Sequence, residues 1–277
     1  MTTPSTDTGS TARLPRWRAK LTAAWPLFVH LTERSVRQRY KGSVLGVLWT
    51  LVNPLVMVGA YWIIFKFLFG SAIPNYALFL FVGMTVWALF FGGLTVATTS
   101  ITGNATLVTK VSFPREIVPA STITANAVTA LAMVVIAVPL CLIFPQGSRL
   151  PALLVPVIMV LMFLMTLGVG LIAAGLNVYF RDVEHIITAI GLPWFFLTPI
   201  FYTFSQVSGS VNQQWVLDIL HYGNPIAPGV IAMQDALFWG TWPTVGDLLY
   251  TVVAAVVFLP IGIVAFKRLK REMAVEL

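Results

Sequence analysis

The sequence predicts an all-α membrane protein. Six transmembrane helices follow an N-terminal amphipathic helix, with one short cytoplasmic helix and a pair of external re-entrant helices between the spans. Three observations predict this. Six long apolar stretches lie between Val44 and Phe266 with almost no charge inside them, and about 20 apolar residues suffice to cross a bilayer as a helix. Hydrophobic residues make up 58% of the 277 and charged residues only 10%, well under the roughly 25% of soluble domains. The basic residues fall in alternate linkers, as membrane topology requires. Six spans leave little chain for a separate soluble domain, and the basic balance of +7 reflects topology, not nucleic-acid binding.

The first 25 residues, Ser/Thr-rich at the start, are expected to be a disordered cytoplasmic tail. No secretory signal is expected, because the first long apolar run begins only at Val44. Residues 26–41 then read as an amphipathic helix lying on the membrane. At 100° per residue Glu33, Arg37, His30, Lys41 and Arg34 share one face, and Leu31, Phe28, Val36, Val29 and Tyr40 occupy much of the other. Arg39 and Thr32 intrude on the apolar side. A cationic interfacial helix binds anionic lipid. The cations serve ordinary topological anchoring, or they also meet an anionic lipid-linked substrate.

The predicted spans are 44–69, 77–101, 117–144, 151–177, 186–204 and 243–266. The first opens with Gly42 and Gly46, a small-xxx-small spacing for close helix approach. Its Pro54 removes a backbone donor, and Asn53 stands beside the break, either bonding the freed carbonyl or lining a path. Lys110 and Arg115 lie between spans two and three, Arg181 between four and five, and Lys267, Arg268, Lys270 and Arg271 after span six. With the eight basic residues before span one, these fall on one side if both termini do. The positive-inside rule places that side, and the basic tail 267–277, in the cytoplasm. Cys141, the only cysteine, sits in a span and excludes an intrachain disulfide.

The linkers carry most of the functional information. In Gly103–Glu116, Leu107, Val108 and Val111 form the apolar side of a helix of one or two turns. Exposed, they would make a docking knob for a partner protein; otherwise the segment is a turn that re-enters the membrane. Asn177–His185 joins spans four and five with acids and one histidine, too few ligands for a metal, since His30 and His221 lie in distant segments. The external segment 203–242 holds two helix-like runs, Trp215–Leu220 and Val230–Trp239, around a Pro/Gly break containing Asn224, Pro225 and Pro228. A re-entrant hairpin covered by protein fits this pattern and would make an outer gate.

Several absences narrow the function. No G-x-x-x-x-G-K-[ST] phosphate loop occurs. The mid-membrane regions lack the acids and lysines of proton-coupled transport. Asp247 is placed near the start of span six, where it complements a helix N-terminus. No catalytic constellation and no metal-ligand cluster stands out. A passive or externally powered conduit fits better than an enzyme.

At this point the motifs resemble a known family. Arg39–Trp49 with Asn53-Pro54, then Phe113–Pro119, Leu176–Val183, Leu197–Tyr202 and Asn224-Pro225 resemble, in that order, the permease subunits of type-2 ABC exporters. The branch is the one that exports O-antigen, capsule and teichoic-acid-like polymers. The resemblance runs from about Leu27 to the C-terminus. It implies a second copy of this chain and two copies of a separate ABC ATPase subunit that carries ATP and Mg, with no cofactor on this chain. It implies a bacterial inner or plasma membrane location and a polysaccharide linked to polyprenyl pyrophosphate as cargo. Residues 26–41 would be the cytoplasmic interface helix. The region of Asn104, Leu107, Val108, Lys110 and Val111 would be the coupling helix seated on the ATPase. The runs of Trp215 to Leu220 and Val230 to Phe238, around Asn224, Pro225 and Pro228, would be the external gate.

For the conduit itself, aromatic rings pack on the C–H faces of sugars and offer polar tips to hydroxyls. Tyr61, Trp62, Trp87, Phe90 and Phe91 are the candidates, each with core packing or a lipid-facing belt as the alternative. Arg34, Arg37, Arg39 and Lys41 are candidate contacts for the pyrophosphate through charge-assisted bonds. Rival readings are a type-2 ABC permease for a drug or lipid, an integral membrane glycan transferase, and a non-enzymatic envelope scaffold.

Overall fold

The computed structural model describes residues 16–40, 49–68, 70, 73–111, 113–204, 206, 213–270 and 273. Every regular element among them is helical. The chain is therefore an all-α membrane protein. In order the helices are α1 (Arg16–Tyr40), α2 (Trp49–Ile63, continued by a π turn Ile64–Leu68), α3 (Tyr76–Thr98), α4 (Ala105–Lys110), α5 (Ile117–Ile143), α6 (Val155–Tyr179), α7 (Asp182–Leu197), α8 (Gln214–Tyr222), α9 (Ala227–Met233, continued by a π-helical turn Gln234–Trp239) and α10 (Val245–Leu269).

Four of these are long and apolar enough to cross a bilayer: Tyr76–Thr98, Ile117–Ile143, Leu150–Tyr179 (which includes a leading 3-10 turn) and Val245–Leu269. The apolar helix Leu51–Phe67 is shorter. Helix α3 is hydrophobic all round and is the most enclosed of the four, as expected for a central helix. It packs on α5, α6 and α2, while α6 and α10 make the most extensive pair. Helices α5 and α10 each keep an open apolar face, through Val128, Leu131 and Val135 on one and Val253, Val256 and Val257 on the other.

At the α6–α10 crossing two glycines face each other. A Cβ on Gly168 would run into the Phe258 carbonyl and lie 2.6 Å from the Leu259 nitrogen, and one on Gly262 would lie 2.7 Å from Gly168 Cα. Backbone thus meets backbone, the close approach that small residues permit in membranes.

Three boundaries depart from expectation. Helix α1 begins at Arg16, so residues 16–25 of the expected disordered tail are helical and Pro26 sits inside the helix. The stretch from Arg16 to Ala24 is rich in Ala, Leu, Lys and Arg, all strong helix formers. The fifth predicted span does not reach Phe204: α7 ends at Leu197 and Thr198 is extended, with φ −89 and ψ 134. Pro199 follows, and a residue before proline is pushed out of the α region. The sixth span starts at Val245, where Thr244 caps the helix by accepting from the Asp247 N–H at 3.1 Å. Asp247 Oδ2 in turn accepts from the Thr244 hydroxyl at 2.6 Å, which places this acid at the helix N-terminus as expected. Residues 1–15, Lys41, Gly42, Gly46 and the opening of the first predicted span lie outside the described residues.

The apolar residues gather in two clusters. The larger fills the bundle between α3, α5, α6, α9 and α10. The smaller, at the end that carries α4, joins Leu31 of α1, Ile101, Val108 of α4, Ile117 and Val118 of α5, Leu171 and Val178 of α6, and Phe266 and Met273.

Candidate functional site

At the α4 end, α1 lies along the start of α5 and beside the end of α3. Residues spaced 31, 34, 35, 38 and 39 share one side of a helix, because positions three and four apart are neighbours. That side borders an open cavity of about 370 Å³ that is lined by Thr99, Ser100 and Asn104 after α3 and Ser121 and Thr122 of α5, together with apolar Val96 and Val118. Two arginines, Arg34 and Arg39, line it together with Ser35 and Gln38. The sequence treats Arg39 as an intruder on an apolar face; the structure gives that face a polar strip, and Arg39 belongs to it. Arg37 points elsewhere: it is exposed and pairs with Glu33 one turn back at 3.6 Å. Of the four expected pyrophosphate contacts, two share the cavity, one faces away and Lys41 lies outside the described residues.

Asn104 donates from Nδ2 to the Ser100 carbonyl at 2.9 Å, closing the turn that leads from α3 into α4. Only part of the expected docking surface is exposed. Val108 is 2% exposed, packed in the smaller apolar cluster, and Leu107 leans on the same cluster. Val111, at 50% exposure, and Lys110 face outward. The segment after α4 is tied to the end of α10, where Arg115 donates to the Lys270 carbonyl at 2.9 Å and the Lys270 ammonium meets Glu116 at 2.9 Å. Tyr179 of α6 donates to the neighbouring Leu269 carbonyl.

The five aromatic candidates separate. Tyr61, Trp87 and Phe91 line one open groove of about 180 Å³ with Met57, Thr188, Gly191, Leu192 and Phe195. Trp87 stacks on Phe91 with centroids 4.8 Å apart, and Tyr61 leans on Phe195 at 5.5 Å. Phe90 is fully buried and meets Trp194 edge-on at 5.4 Å, so it is core. Trp62 lines a different, apolar cavity of about 430 Å³ with Leu55, Tyr76 and Phe81. Sequence reasoning missed Phe195 and Trp194; the run Pro193-Trp194-Phe195-Phe196 was the available signal. It also missed Asn126, a lone amide in an apolar span, 7% exposed.

At the opposite end both expected re-entrant runs are helices, α8 and α9. Asn224 is the hub between them. Its Nδ2 donates to Thr198 Oγ1 at 3.0 Å, and its Oδ1 accepts from Trp194 Nε1 at 2.9 Å and from the Ile226 N–H at 3.2 Å. Pro228 is buried in the first turn of α9, Pro225 and Leu220 are half-buried, and Trp215 is 65% exposed. His221 of α8 meets the buried carboxylate of Asp247 at 2.6 Å and stacks on Tyr222 at 4.2 Å. Burial first, and the nearby Asp247 second, push the Asp235 carboxyl up to about 6. Among the described residues no three His, Cys, Asp or Glu side chains gather as a metal site.

Comparison with known sequences gives these features a context. Residues 26–238 match the family described as ABC-2 type transporter. A protein of Myxococcus xanthus named O-antigen export system permease protein RfbA is 30% identical over 252 residues, covering 90% of this chain and 94% of that protein. A Klebsiella pneumoniae protein of the same name is 28% identical over 251 residues, covering 90% and 93%.

Proposed function

Since the chain belongs to the ABC-2 type transporter family, as a multi-pass membrane permease homologous to O-antigen export permeases, we propose that it is the membrane subunit of an ATP-driven exporter. The cargo is a polysaccharide linked to polyprenyl pyrophosphate, moved from the cytoplasmic to the external side of a bacterial plasma membrane. Two copies of this chain work with two copies of an ABC ATPase, which holds ATP and Mg and performs the hydrolysis. Both termini and α4 are cytoplasmic, in keeping with the Lys and Arg residues gathered at that end.

The observation that carries this reading is the cavity lined by Arg34 and Arg39 at the α4 end. Diphosphate oxygens accept charge-assisted bonds from guanidinium groups, and the hydroxyls of Ser35 and Thr99 supply neutral donors beside them, while those of Ser121 and Thr122 donate to the Val118 and Pro119 carbonyls. The lipid chain stays in the bilayer while the charged head enters between α1 and α5. The groove of Tyr61, Trp87 and Phe91 supports a path for the sugars, since stacked rings present apolar faces and Tyr and Trp a polar tip. Coupling runs through α4: its exposed end, with Lys110 and the following Val111, meets the ATPase, and Val108 passes the displacement into the cluster shared by α1, α5, α6 and α10. Helices α8 and α9 close the external end.

The test is depletion of the protein in its native host, followed by extraction of polyprenyl-linked glycan and assignment of the leaflet that holds it. Full-length glycan accumulating on the cytoplasmic leaflet is the expected result. Loss of glycan without accumulation overturns the reading in favour of a transferase or scaffold, and an unchanged glycan pool in favour of another cargo.

A further inference from the structure

Asn126 lies on α5 nine residues past Ile117, about 13 Å along the helix axis. Its Nδ2 donates to the Ala88 carbonyl at 2.9 Å and approaches the Leu89 carbonyl at 3.4 Å, both inside α3. Its Oδ1 accepts from Arg39 Nη1 at 3.3 Å. The reach across to α3 depends on Gly92, where a Cβ would sit 3.1 Å from both amide heavy atoms. One arginine of the cavity between α1 and α5 is thereby joined, through a single amide, to the backbone of the central helix. The residues next to the bonded carbonyls are Trp87 and, one turn on, Phe91, the stacked pair of the aromatic groove.

We infer that Asn126 is a positioning residue that holds Arg39 at the cavity when it is empty and reports its occupancy to the aromatic groove. This deepens the proposed function and rests on it, because it takes the diphosphate of the cargo as the ligand. The amide oxygen is a neutral acceptor at long range. A diphosphate is a charged one, and charge-assisted bonds are shorter and about twice as strong. Anion binding therefore draws Arg39 off Asn126. The amide oxygen, buried and left without that donor, then favours a shift of α5 against α3 that restores a partner. The Ala88–Leu89 segment moves with it, and Trp87 changes its surroundings.

The experiment uses the permease with its ATPase in nanodiscs, titrated with undecaprenyl diphosphate and, separately, with inorganic pyrophosphate. The readouts are the dissociation constant and the part of the tryptophan fluorescence change that disappears in Trp87→Phe. Wild type should bind the prenyl diphosphate with a Trp87-dependent signal. A response to inorganic pyrophosphate as well shows that the headgroup alone suffices; a response to the lipid alone shows that its chain contributes. Asn126→Ala should bind within about threefold of wild type yet lose the Trp87 signal. Asn126→Asp, which grips Arg39 as an ion pair, should bind roughly tenfold more weakly and remains informative if the alanine variant does not fold. Binding with a full Trp87 signal in Asn126→Ala, or undiminished affinity in Asn126→Asp, overturns the role of Asn126 while leaving the cargo assignment standing. Absence of any binding to wild type overturns both.

Discussion

Val108 lies inside α4 and Val111 just past its end, where the backbone is extended, and replacement by aspartate should give opposite failures. Val108 is 2% exposed within the cluster of Leu31, Ile101, Ile117 and Phe266. Full burial of a valine contributes about 1.5–3 kcal/mol. A carboxyl group left there without a partner costs a further 1–3 kcal/mol or so, even after taking up a proton. Val108→Asp therefore loses about 2.5–6 kcal/mol, and at roughly 2–4 °C per kcal/mol for a chain of this size its melting temperature falls by at least ~5 °C. Val111 is 50% exposed, so Val111→Asp stays within about 0.5 kcal/mol of wild type in stability. What it should lose is the ATPase. The assay is thermal unfolding of the detergent-purified permease alongside its co-purification with the partner. A Val108→Asp protein that melts with wild type refutes the inward placement of that side chain. A Val111→Asp protein that retains the ATPase and its stimulated hydrolysis refutes the exposed end of α4 as the docking surface.

Two further predictions address the opposite end and the bundle core. The Asp235 carboxyl is raised from 3.8 to about 6 by burial and by Asp247, so its ionised form is disfavoured in the folded state. Its contribution to stability is fully present below about pH 4 and is lost as pH rises to about 6; Asp235→Asn should remove that decline in melting curves taken across the window, and an unchanged pH profile would reject the assignment. Gly168→Ala places a methyl against the Phe258 carbonyl and 2.6 Å from the Leu259 nitrogen. Since backbone cannot rotate away, it should destabilise by about 1–3 kcal/mol or more, measured as a lower melting temperature; a neutral effect would mean the two helices separate freely.

How far the sequence revealed these features depended on whether local pattern or tertiary contact decided each one. Spans such as Tyr76–Thr98 and Val245–Leu269 were legible because continuous apolarity is a local property, and the helix-terminal role of Asp247 because an acid at the start of an apolar run is too. The end of α7 was misplaced by reading apolar composition past Thr198-Pro199, where backbone geometry overrules hydrophobicity. The arginines were found as a group but not sorted: Arg37 and Arg39 differ only in which side of α1 meets α5, and no periodicity count on α1 alone contains α5. For the same reason Val108 was assigned to a partner when it belongs to this chain's own core. Asn126 carried a signal, a solitary amide in an apolar span, but its meaning lay in two partners 38 and 87 positions away in the chain.

The facing glycines of α6 and α10 set limits on mechanics. Where carbonyl and Cα of one helix lie directly on those of the other, there is no layer of side chains to shear, and side chains that repack are what ordinarily let helices slide. These two spans therefore form a fixed mast. Any widening of a passage during a transport cycle has to come from elements that touch the rest through larger side chains, α2 and α7 among them, swinging about that mast. A pair of cysteines bridging α6 and α10 should then be silent in transport, while one bridging α2 to α7 should arrest it.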